Sequence, residues 1–278
     1  MHRKSVQILA VGALAALPML ASAQAAAAAD AAAAPAPNLT GNISLTTNYK
    51  FRGQDQDVLG KNDFAKDNYV KPAIQGGLDY AFGDSGFYLG NWNSSVNWLK
   101  GNSIEMDFYG GYKFKGGPID WDVCVLTYVY PGNSAGATTE IYGAGTWADE
   151  AIGAFTAKYS WTVSKDYFNY AGNKGGSGLD GTNTGYLNLA YTKEIMPKLT
   201  LKAAVGYTFF TSDIKSLGYK DYLDYNVGAA YDFGSGLSLG GYIQGGNEQS
   251  AFNLVASPGI PSPIGPIGQT TFSPNATR

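Results

Sequence analysis

Two aspartates spaced two apart, Asp120 and Asp122, are the residues with the clearest potential for chemistry. On an extended strand they share a face and lie about 6 to 7 Å apart. A pair of carboxylates at a set separation is what glycoside hydrolysis requires. Any amphipathic strand with acids on its polar face has the same spacing, however. The pair is weak evidence for catalysis, and we predict no catalytic residues and a protein that is not an enzyme.

Nucleophilic and metal-assisted chemistry lack their usual residues. The single histidine, His2, lies in a segment that we expect to be cleaved off, and without histidine neither a Ser-His-Asp triad nor a His-ligated metal can form. Cys124 is the only cysteine, so it has no intramolecular partner for a disulfide or a redox pair. Loop acids occur at Asp55, Asp57, Asp63 and Asp67. Because their spacing is not that of an EF-hand, we predict no metal and no cofactor.

The composition is unusual for a soluble enzyme. Of 278 residues, 45% are hydrophobic, 14% aromatic and only 15% charged, with 37 glycines and 20 tyrosines. Charged residues make up about 25% of an ordinary soluble domain. With 19 basic against 22 acidic residues, the chain has no basic excess to bind a phosphate backbone. Nucleic acid is therefore not an expected partner.

The two ends of the chain differ from the remainder. Residues 1–23 have the basic start, apolar run and small-residue cleavage site of a secretory signal peptide. The apolar run is shorter than the roughly 20 residues of a membrane-spanning helix. A flexible Ala/Pro-rich leader at 24–37 and a Pro-rich tail at 257–278 leave 38–256 as the predicted folded domain.

Within that domain, apolar and polar residues alternate with a period of two. Residues 39–52 have an apolar set of alternate positions, which ends in Tyr49 and Phe51, and a wholly polar set, which ends in Lys50 and Arg52. Alternate side chains of a strand point to opposite faces, so this segment has one apolar and one polar face. The pattern recurs in eleven predicted strands, with a weaker twelfth near 249–256.

The predicted connections alternate in length. Every second one is a turn of three or four residues, and two of the longer ones, 53–71 and 165–184, have about twenty. Short periplasmic turns and long extracellular loops are typical of outer-membrane barrels, which usually have an even number of strands. A sheet in a bilayer must close to pair its backbone groups. We predict an all-β fold, a transmembrane antiparallel up-and-down β-barrel of about 12 strands.

Aromatic residues on the predicted apolar face gather at both ends of the strands, as in the belts at membrane interfaces. The alternative is that they form a soluble core. The predicted membrane-interface aromatics are Phe82, Phe114, Trp121, Trp147 and Phe233 at the short-turn end, and Phe51, Trp98, Trp161 and Phe209 at the long-loop end.

The polar face carries the charges that we expect to line the lumen. The acids are Asp79, Glu105, Asp107, Asp120, Asp122, Glu140, Glu194, Asp224 and Asp232, and the bases are Lys50, Arg52, Lys113, Lys158 and Lys202. An excess of acids predicts a mild preference for cations or basic solutes. The alternative is that acids and bases pair across the wall and only keep the lumen hydrated.

Five ordered motifs carry a family resemblance: TNYKFRG at 47–53, PAIQGGLDY at 72–80, GFYLGNWNS at 86–94, EMDFYGGY at 105–112 and TEIY at 139–142. In these, the chain resembles the TorF family of proteobacterial porins over about residues 38–246. The resemblance implies an outer-membrane barrel with porin activity and no particular substrate. It also makes Arg52, Glu105, Asp107 and Glu140 the preferred functional candidates. The C-terminus departs from the pattern: either 249–256 closes the barrel before a loose tail, or the chain ends differently from the ancestral fold.

The sequence therefore predicts a narrow channel for passive diffusion, located in the outer membrane of a Gram-negative bacterium after signal-peptide cleavage. Its expected partners are outer-membrane lipid and small solutes or ions, whereas its oligomeric state is not indicated. The competing hypothesis is a non-conducting barrel that acts as a surface-binding or structural protein through its long loops.

Overall fold

The computed structural model describes residues 38–57 and 72–247, and every structural statement below concerns those ranges. They form an antiparallel up-and-down sheet of eleven strands, each paired with the next sheet strand along the chain. The elements are β1 (Leu39–Thr46), β2 (Lys50–Phe51), β3 (Gln54–Asp55), β4 (Ala73–Ala81), β5 (Phe87–Ser95), β6 (Ile104–Gly116), β7 (Ile119–Val129), β8 (Thr138–Asp149), β9 (Gly153–Thr162), β10 (Gly185–Met196), β11 (Leu199–Phe209), β12 (Tyr222–Gly234) and β13 (Leu237–Gly246). Strands β2 and β3 form a separate two-stranded sheet.

The predicted all-β, antiparallel up-and-down fold is confirmed, and in the described ranges β1 and β13 are the edges of the sheet. The helical elements within residues 38–57 and 72–247 are short: one α-helix, Ser212–Ser216, and three 3₁₀ turns, Gly83–Ser85, Ser134–Gly136 and Asn173–Gly175. No helix among the described residues has the length and apolarity to cross a membrane. The predicted signal peptide, leader, twelfth strand and Pro-rich tail lie outside the described residues.

The two faces of the sheet have opposite chemistry. On β7, Val123 and Val125 are 43% and 50% exposed, whereas Asp122 and Cys124 are buried. The same alternation leaves large apolar side chains exposed on the other sheet strands, among them Ile43, Leu45, Leu78, Leu89, Ile141, Leu189, Val227 and Leu239. Soluble monomers rarely expose contiguous apolar patches of more than a few hundred Å². The outer face therefore has the chemistry of a surface that meets lipid.

The two ends of the sheet are connected differently. At one end, neighbouring strands join through tight turns, and Gly117 and Gly236 adopt φ values of +64° and +91° there, which glycine reaches without steric cost. At the other end, longer segments such as residues 163–184 and 210–221 join the strands. The predicted alternation of short and long connections is thus present in the described sheet.

The first strand is shorter than predicted. Strand β1 ends at Thr46, whose hydroxyl donates to the carbonyl of Asn48 at 3.0 Å. Residues 49–57, which we call the inner hairpin, then turn into the interior, where Lys50 pairs with Asp55 across β2 and β3. The alternating pattern of residues 39–52 therefore spans two elements. The two strands of the hairpin are largely buried on both faces, so the pattern no longer separates outside from inside there.

Tyrosine, glycine and aspartate form repeated contacts across the inner face. Tyr109 of β6 donates to Asp79 of β4 at 2.6 Å and crosses Gly90 of β5, where an added Cβ would lie 2.1 Å from the tyrosine ring. In the same way Tyr186 of β10 donates to Asp224 of β12 at 3.1 Å across Gly206 of β11. We call these contacts Tyr–Gly–Asp rungs.

A third rung runs in the same direction along the strand order as the second, from the tyrosine strand to a later strand. Tyr88 of β5 donates to Asp122 of β7 at 2.7 Å across Gly111 of β6. Each rung spans three strands, and each needs a position without a side chain in the middle strand. Part of the high tyrosine and glycine content therefore stabilises the inner wall.

Replacing the glycine of a rung should destabilise the barrel. In Gly206→Ala the new Cβ would lie 2.0 Å from Tyr186 Oη, so the ring must move off Asp224. Overpacking of this kind costs about 1–3 kcal/mol. The matched control is Gly143→Ala on β8, because no atom lies within 4 Å of its added Cβ. In heat-modifiability gels, we expect the folded band of Gly206→Ala to disappear at a lower temperature than that of the wild type, and the folded band of Gly143→Ala to disappear at the wild-type temperature. Equal temperatures for the two variants would contradict a stabilising role of the rung.

Candidate functional site

The inner hairpin is attached to the wall by a buried ion pair. Arg52 donates through Nη1 and Nη2 to the two carboxylate oxygens of Glu140 on β8, at 2.9 and 2.7 Å. The two side chains are only 4% and 1% exposed. The guanidinium also lies over the ring of Tyr186 on β10, 4.2 Å from its centroid, and donates to Tyr167 Oη at 3.2 Å. The geometry is bidentate, which is the strongest arrangement for such a pair.

Two further hydrogen bonds attach the inner hairpin to other strands. Tyr49 donates to Glu105 of β6 at 2.7 Å, and Tyr130 donates to the second oxygen of that carboxylate at 2.5 Å. On the opposite side, Gln54 Nε2 donates to Tyr222 Oη of β12 at 2.7 Å. Strands β6, β8, β10 and β12 thus all contact one short segment. The sheet must therefore curve around the inner hairpin.

Aromatic side chains cover the inner hairpin at the long-loop end. Tyr167 and Phe168, from the connection between β9 and β10, are buried, and Phe168 packs against Phe51 of the hairpin at a ring separation of 5.2 Å. We call the cluster the aromatic layer; its other members are Tyr128, Tyr170, Phe210, Tyr219 and Tyr222. Burial raises the pKa of Tyr167 to about 12, so its phenol is neutral and its oxygen accepts from Arg52.

The predicted lumen charges divide into a buried group and a rim group. The buried group consists of Lys50, Arg52, Glu105, Asp107, Asp122, Glu140, Lys158, Lys202 and Asp224. The rim group is more exposed and consists of Asp79, Lys113, Asp120, Glu194 and Asp232, most of them near the tight turns. Several rim residues have local roles: Asp120 pairs with Lys115 at 2.8 Å, and Glu194 accepts from the backbone N–H of Lys198.

Most of the predicted interface aromatics lie on the outer face. The exposed ones are Phe82, Phe114, Trp121, Trp161, Phe209 and Phe233, and Trp147 is half-buried and stacks on Phe155. Phe51 and Trp98 were predicted wrongly, because both are buried in the interior. Phe51 belongs to the inner hairpin, and Trp98 lies after β5, where its ring packs against Tyr130 at 5.0 Å. Both residues lie beyond the ends of β1 and β5, where strand alternation no longer applies.

A small cavity lies beside the inner hairpin. A cavity of about 50 Å³ lies between the hairpin and the inner face of β9 to β13. That volume holds a few water molecules. It is lined by Lys50, Phe51, Arg52, Gly53, Lys158, Ser160, Tyr186, Asn188, Ala204, Asp224, Tyr225, Asn226 and Gln244. We call it the inner cavity.

The described residues contain no group of three or more histidine, cysteine or carboxylate side chains that could hold a metal ion. Asp63 and Asp67 of the loop considered for calcium lie outside the described residues.

The sequence analysis predicted neither the inward position of the inner hairpin nor the contact of Tyr167 with Arg52. The available signal was a long loop unusually rich in aromatic residues, with Tyr167, Phe168 and Tyr170 close together. Such a loop is expected to pack rather than to stay in solvent.

Comparisons with known proteins give a family and distant structural neighbours. The profile of a family described as "Bacterial protein of unknown function (Gcw_chp)" matches residues 29–259. No curated protein matches. A double variant of OccD1 (OprD) is 14% identical with a TM-score of 0.35, covering 76% of this chain and 60% of that one.

Two further solved structures have the same TM-score of 0.35. OprD of Pseudomonas aeruginosa is 12% identical, with 77% of this chain and 62% of that one covered. A refined porin structure is 16% identical, with 62% and 56% covered. The chain thus spans about 60% of the length of the first of these proteins. Similarity at this level indicates nothing about a solute.

Removing one partner of the buried ion pair should destabilise the protein strongly. In Glu140→Gln the Arg52 guanidinium stays buried without a countercharge, which typically costs about 3–5 kcal/mol. The matched control is Glu194→Gln, because Glu194 is exposed at a tight turn. We expect a lower urea midpoint for Glu140→Gln and little change for the control. Equal midpoints would mean that the ion pair does not hold the inner hairpin.

Proposed function

Because the chain belongs to the Gcw_chp family of bacterial proteins of unknown function, we propose a function from its own geometry. The protein is an outer-membrane barrel that forms a narrow channel for passive diffusion of small solutes or ions. The observation that carries this proposal is the contrast between the exposed apolar outer face and the charged inner face. The resemblance of its motifs to the TorF family of porins supports the same function. Its partners are outer-membrane lipid on the outside and small solutes or ions on the inside.

The inner hairpin and the aromatic layer act as the constriction of this channel. They occupy the space enclosed by β6, β8, β10 and β12, where the open volume beside the hairpin is about 50 Å³. A space of this volume accommodates only small solutes unless the hairpin moves. Because the hairpin is attached mainly through side-chain hydrogen bonds, its displacement would widen the pore without unpairing the strands of the wall.

A second candidate function is a non-conducting barrel that binds partners or stabilises the membrane through its long loops. The packed interior favours it, because the inner hairpin and the aromatic layer fill space inside the wall with buried side chains. The two candidates differ in one measurable property, the flow of ions through the folded protein.

Single-channel recording in planar bilayers separates these candidates. We expect small conductance steps from the wild-type protein and larger steps from Arg52→Ala, because that change removes the ion pair and part of the constriction. Lys115→Ala is the control, since it breaks an exposed ion pair with Asp120 at a tight turn. If verified folded samples of the wild type and of Arg52→Ala both fail to conduct, the non-conducting candidate replaces the channel.

The charge of the inner wall predicts a weak ion preference. Among the described residues, six acidic side chains are buried, against four basic ones; the acids are Asp55, Glu105, Asp107, Asp122, Glu140 and Asp224, and the bases are Lys50, Arg52, Lys158 and Lys202. A small excess of acids favours cations. We expect the reversal potential in a KCl gradient to indicate mild potassium selectivity, and chloride selectivity would contradict this part of the proposal.

A further inference from the structure

Strand β5 places two amides on the outer face of the sheet. Trp92 of this strand packs against the buried interior, so alternation directs its neighbours Asn91 and Asn93 outward. The register agrees, because Asn91 lies between Leu78 of β4 and Phe108 of β6, which are 57% and 47% exposed on the outer face. Amides are unusual on a wall that otherwise has the chemistry of a lipid-facing surface.

The amides lie near the middle of the wall. Strand β5 spans Phe87–Ser95, and Asn91 is its central residue, about 13 Å along the strand from either end. The apolar band of an outer-membrane barrel is about 25 Å tall. No water is available at that depth, and an amide that lacks hydrogen-bond partners in hydrocarbon is strongly unfavourable.

Their own chain satisfies the two amides only in part. Asn91 Nδ2 donates to Asn93 Oδ1 at 3.2 Å, and Asn93 Nδ2 donates to Asn91 Oδ1 at 2.6 Å. The remaining N–H groups donate to the backbone carbonyls of Asp107 and Gly76, at 3.1 and 3.3 Å. An amide oxygen can accept two hydrogen bonds, but among the described residues each Oδ1 accepts one. Acceptor capacity is therefore left over on the outer surface.

Three rows of outward residues across β1, β4, β5 and β6 surround these amides. Each row contains one residue from each strand, and the rows follow one another from the middle of the wall to the long-loop end. We call this surface the amide face; its members are Gly41, Leu78, Asn91 and Phe108 in the first row, Ile43, Gly76, Asn93 and Met106 in the second, and Leu45, Ile74, Ser95 and Ile104 in the third.

The amide face interrupts the aromatic belt at the long-loop end. Its second and third rows, which are nearest that end, contain no aromatic residue. On β9 and β11 the outward residues at the same end are aromatic and exposed, namely Tyr159, Trp161, Tyr207 and Phe209. Aromatic belts form where side chains meet the membrane interface. The gap in the belt indicates that something other than lipid covers the amide face.

A second copy of the chain suits this surface better than a lipid headgroup does. No residue of the amide face is charged, so the face has no cation to offer a phosphate. A copy inserted in the same orientation places its own amides at the same depth, where the two sets can exchange hydrogen bonds. Gly41 and Gly76 allow close approach, as small residues do between membrane-spanning segments.

We propose that the amide face is an interface between two copies of this chain in the membrane. Asn91 and Asn93 of each copy exchange hydrogen bonds with the amides of the other, which fills the acceptor capacity that a single copy leaves in lipid. Val123 and Val125 of β7 lie outside the amide face and stay in contact with lipid. The inference needs the barrel to lie in the membrane but does not need it to conduct.

Cysteine cross-linking of the folded full-length protein in liposomes tests which face pairs. In a Cys124→Ser background, Leu78→Cys places a thiol in the amide face, and Val227→Cys places a matched outward thiol on β12, where Val227 is 47% exposed. After treatment with a short bis-maleimide, we expect a cross-linked dimer from Leu78→Cys and only monomer from Val227→Cys.

Removing the amides tests the hydrogen bonds. Asn91→Leu combined with Asn93→Leu keeps the side-chain size and removes both amides. The matched control is Thr127→Val combined with Thr139→Val, since these two hydroxyls also form a hydrogen-bonded pair, at 3.1 Å, but lie outside the amide face. In sedimentation equilibrium in detergent, we expect the asparagine variant to dimerise about tenfold or more weakly than the wild type and the threonine variant to dimerise normally. Heat-modifiability gels verify that each sample is folded.

The inference is overturned if the folded wild type is a monomer in both experiments, or if Leu78→Cys and Val227→Cys cross-link equally. It is also overturned if the asparagine variant dimerises as tightly as the threonine variant. A monomeric wild type whose co-purified lipid is lost in the asparagine variant would assign the amide face to lipid instead. Dimers without conductance contradict the channel alone, whereas conducting monomers contradict the interface alone.

Discussion

Each strand of the sheet has to satisfy two different surroundings at once, and the rest of the structure depends on this constraint. Because alternate side chains point to opposite faces, the strands of the eleven-stranded sheet place mainly apolar residues outside, and mainly polar residues and tyrosines inside. A sheet with an apolar outer face in lipid can pair its backbone groups only with neighbouring strands. The up-and-down order of neighbouring strands meets that requirement with the shortest connections.

The interior follows from the same constraint, because polar groups enclosed by the wall must find partners. The buried Arg52 and Glu140 neutralise each other, Tyr49 and Tyr130 donate to Glu105, and the Tyr–Gly–Asp rungs supply donors to aspartates of the wall. An ion pair of this kind adds little net stability but is costly to break. It therefore specifies where the inner hairpin lies.

The wall could be predicted from the sequence and the interior could not. Period-two alternation is a local signal, so the described strands and the outward position of residues such as Trp161 and Phe233 follow from it. The inward turn after Thr46 is not local: it depends on Glu105, Glu140 and Tyr222, which lie on three separate strands. Arg52 and Glu140 were predicted as separate lining residues, and the bond between them needed the strand order. Phe51 was misplaced for the same reason.

The central claim is that the outer face of the sheet lies in lipid, and site-directed spin labelling measures this directly. In a Cys124→Ser background, single cysteines at Val123, Val125 and the tight-turn residue Pro118 would be labelled in the protein reconstituted into liposomes. The account predicts that the spin labels at positions 123 and 125 are relaxed by oxygen, which concentrates in the bilayer, and are not relaxed by a water-soluble nickel chelate. The label at position 118 should be relaxed by the chelate. Equal access of the chelate to Val125 and Pro118 would contradict the account.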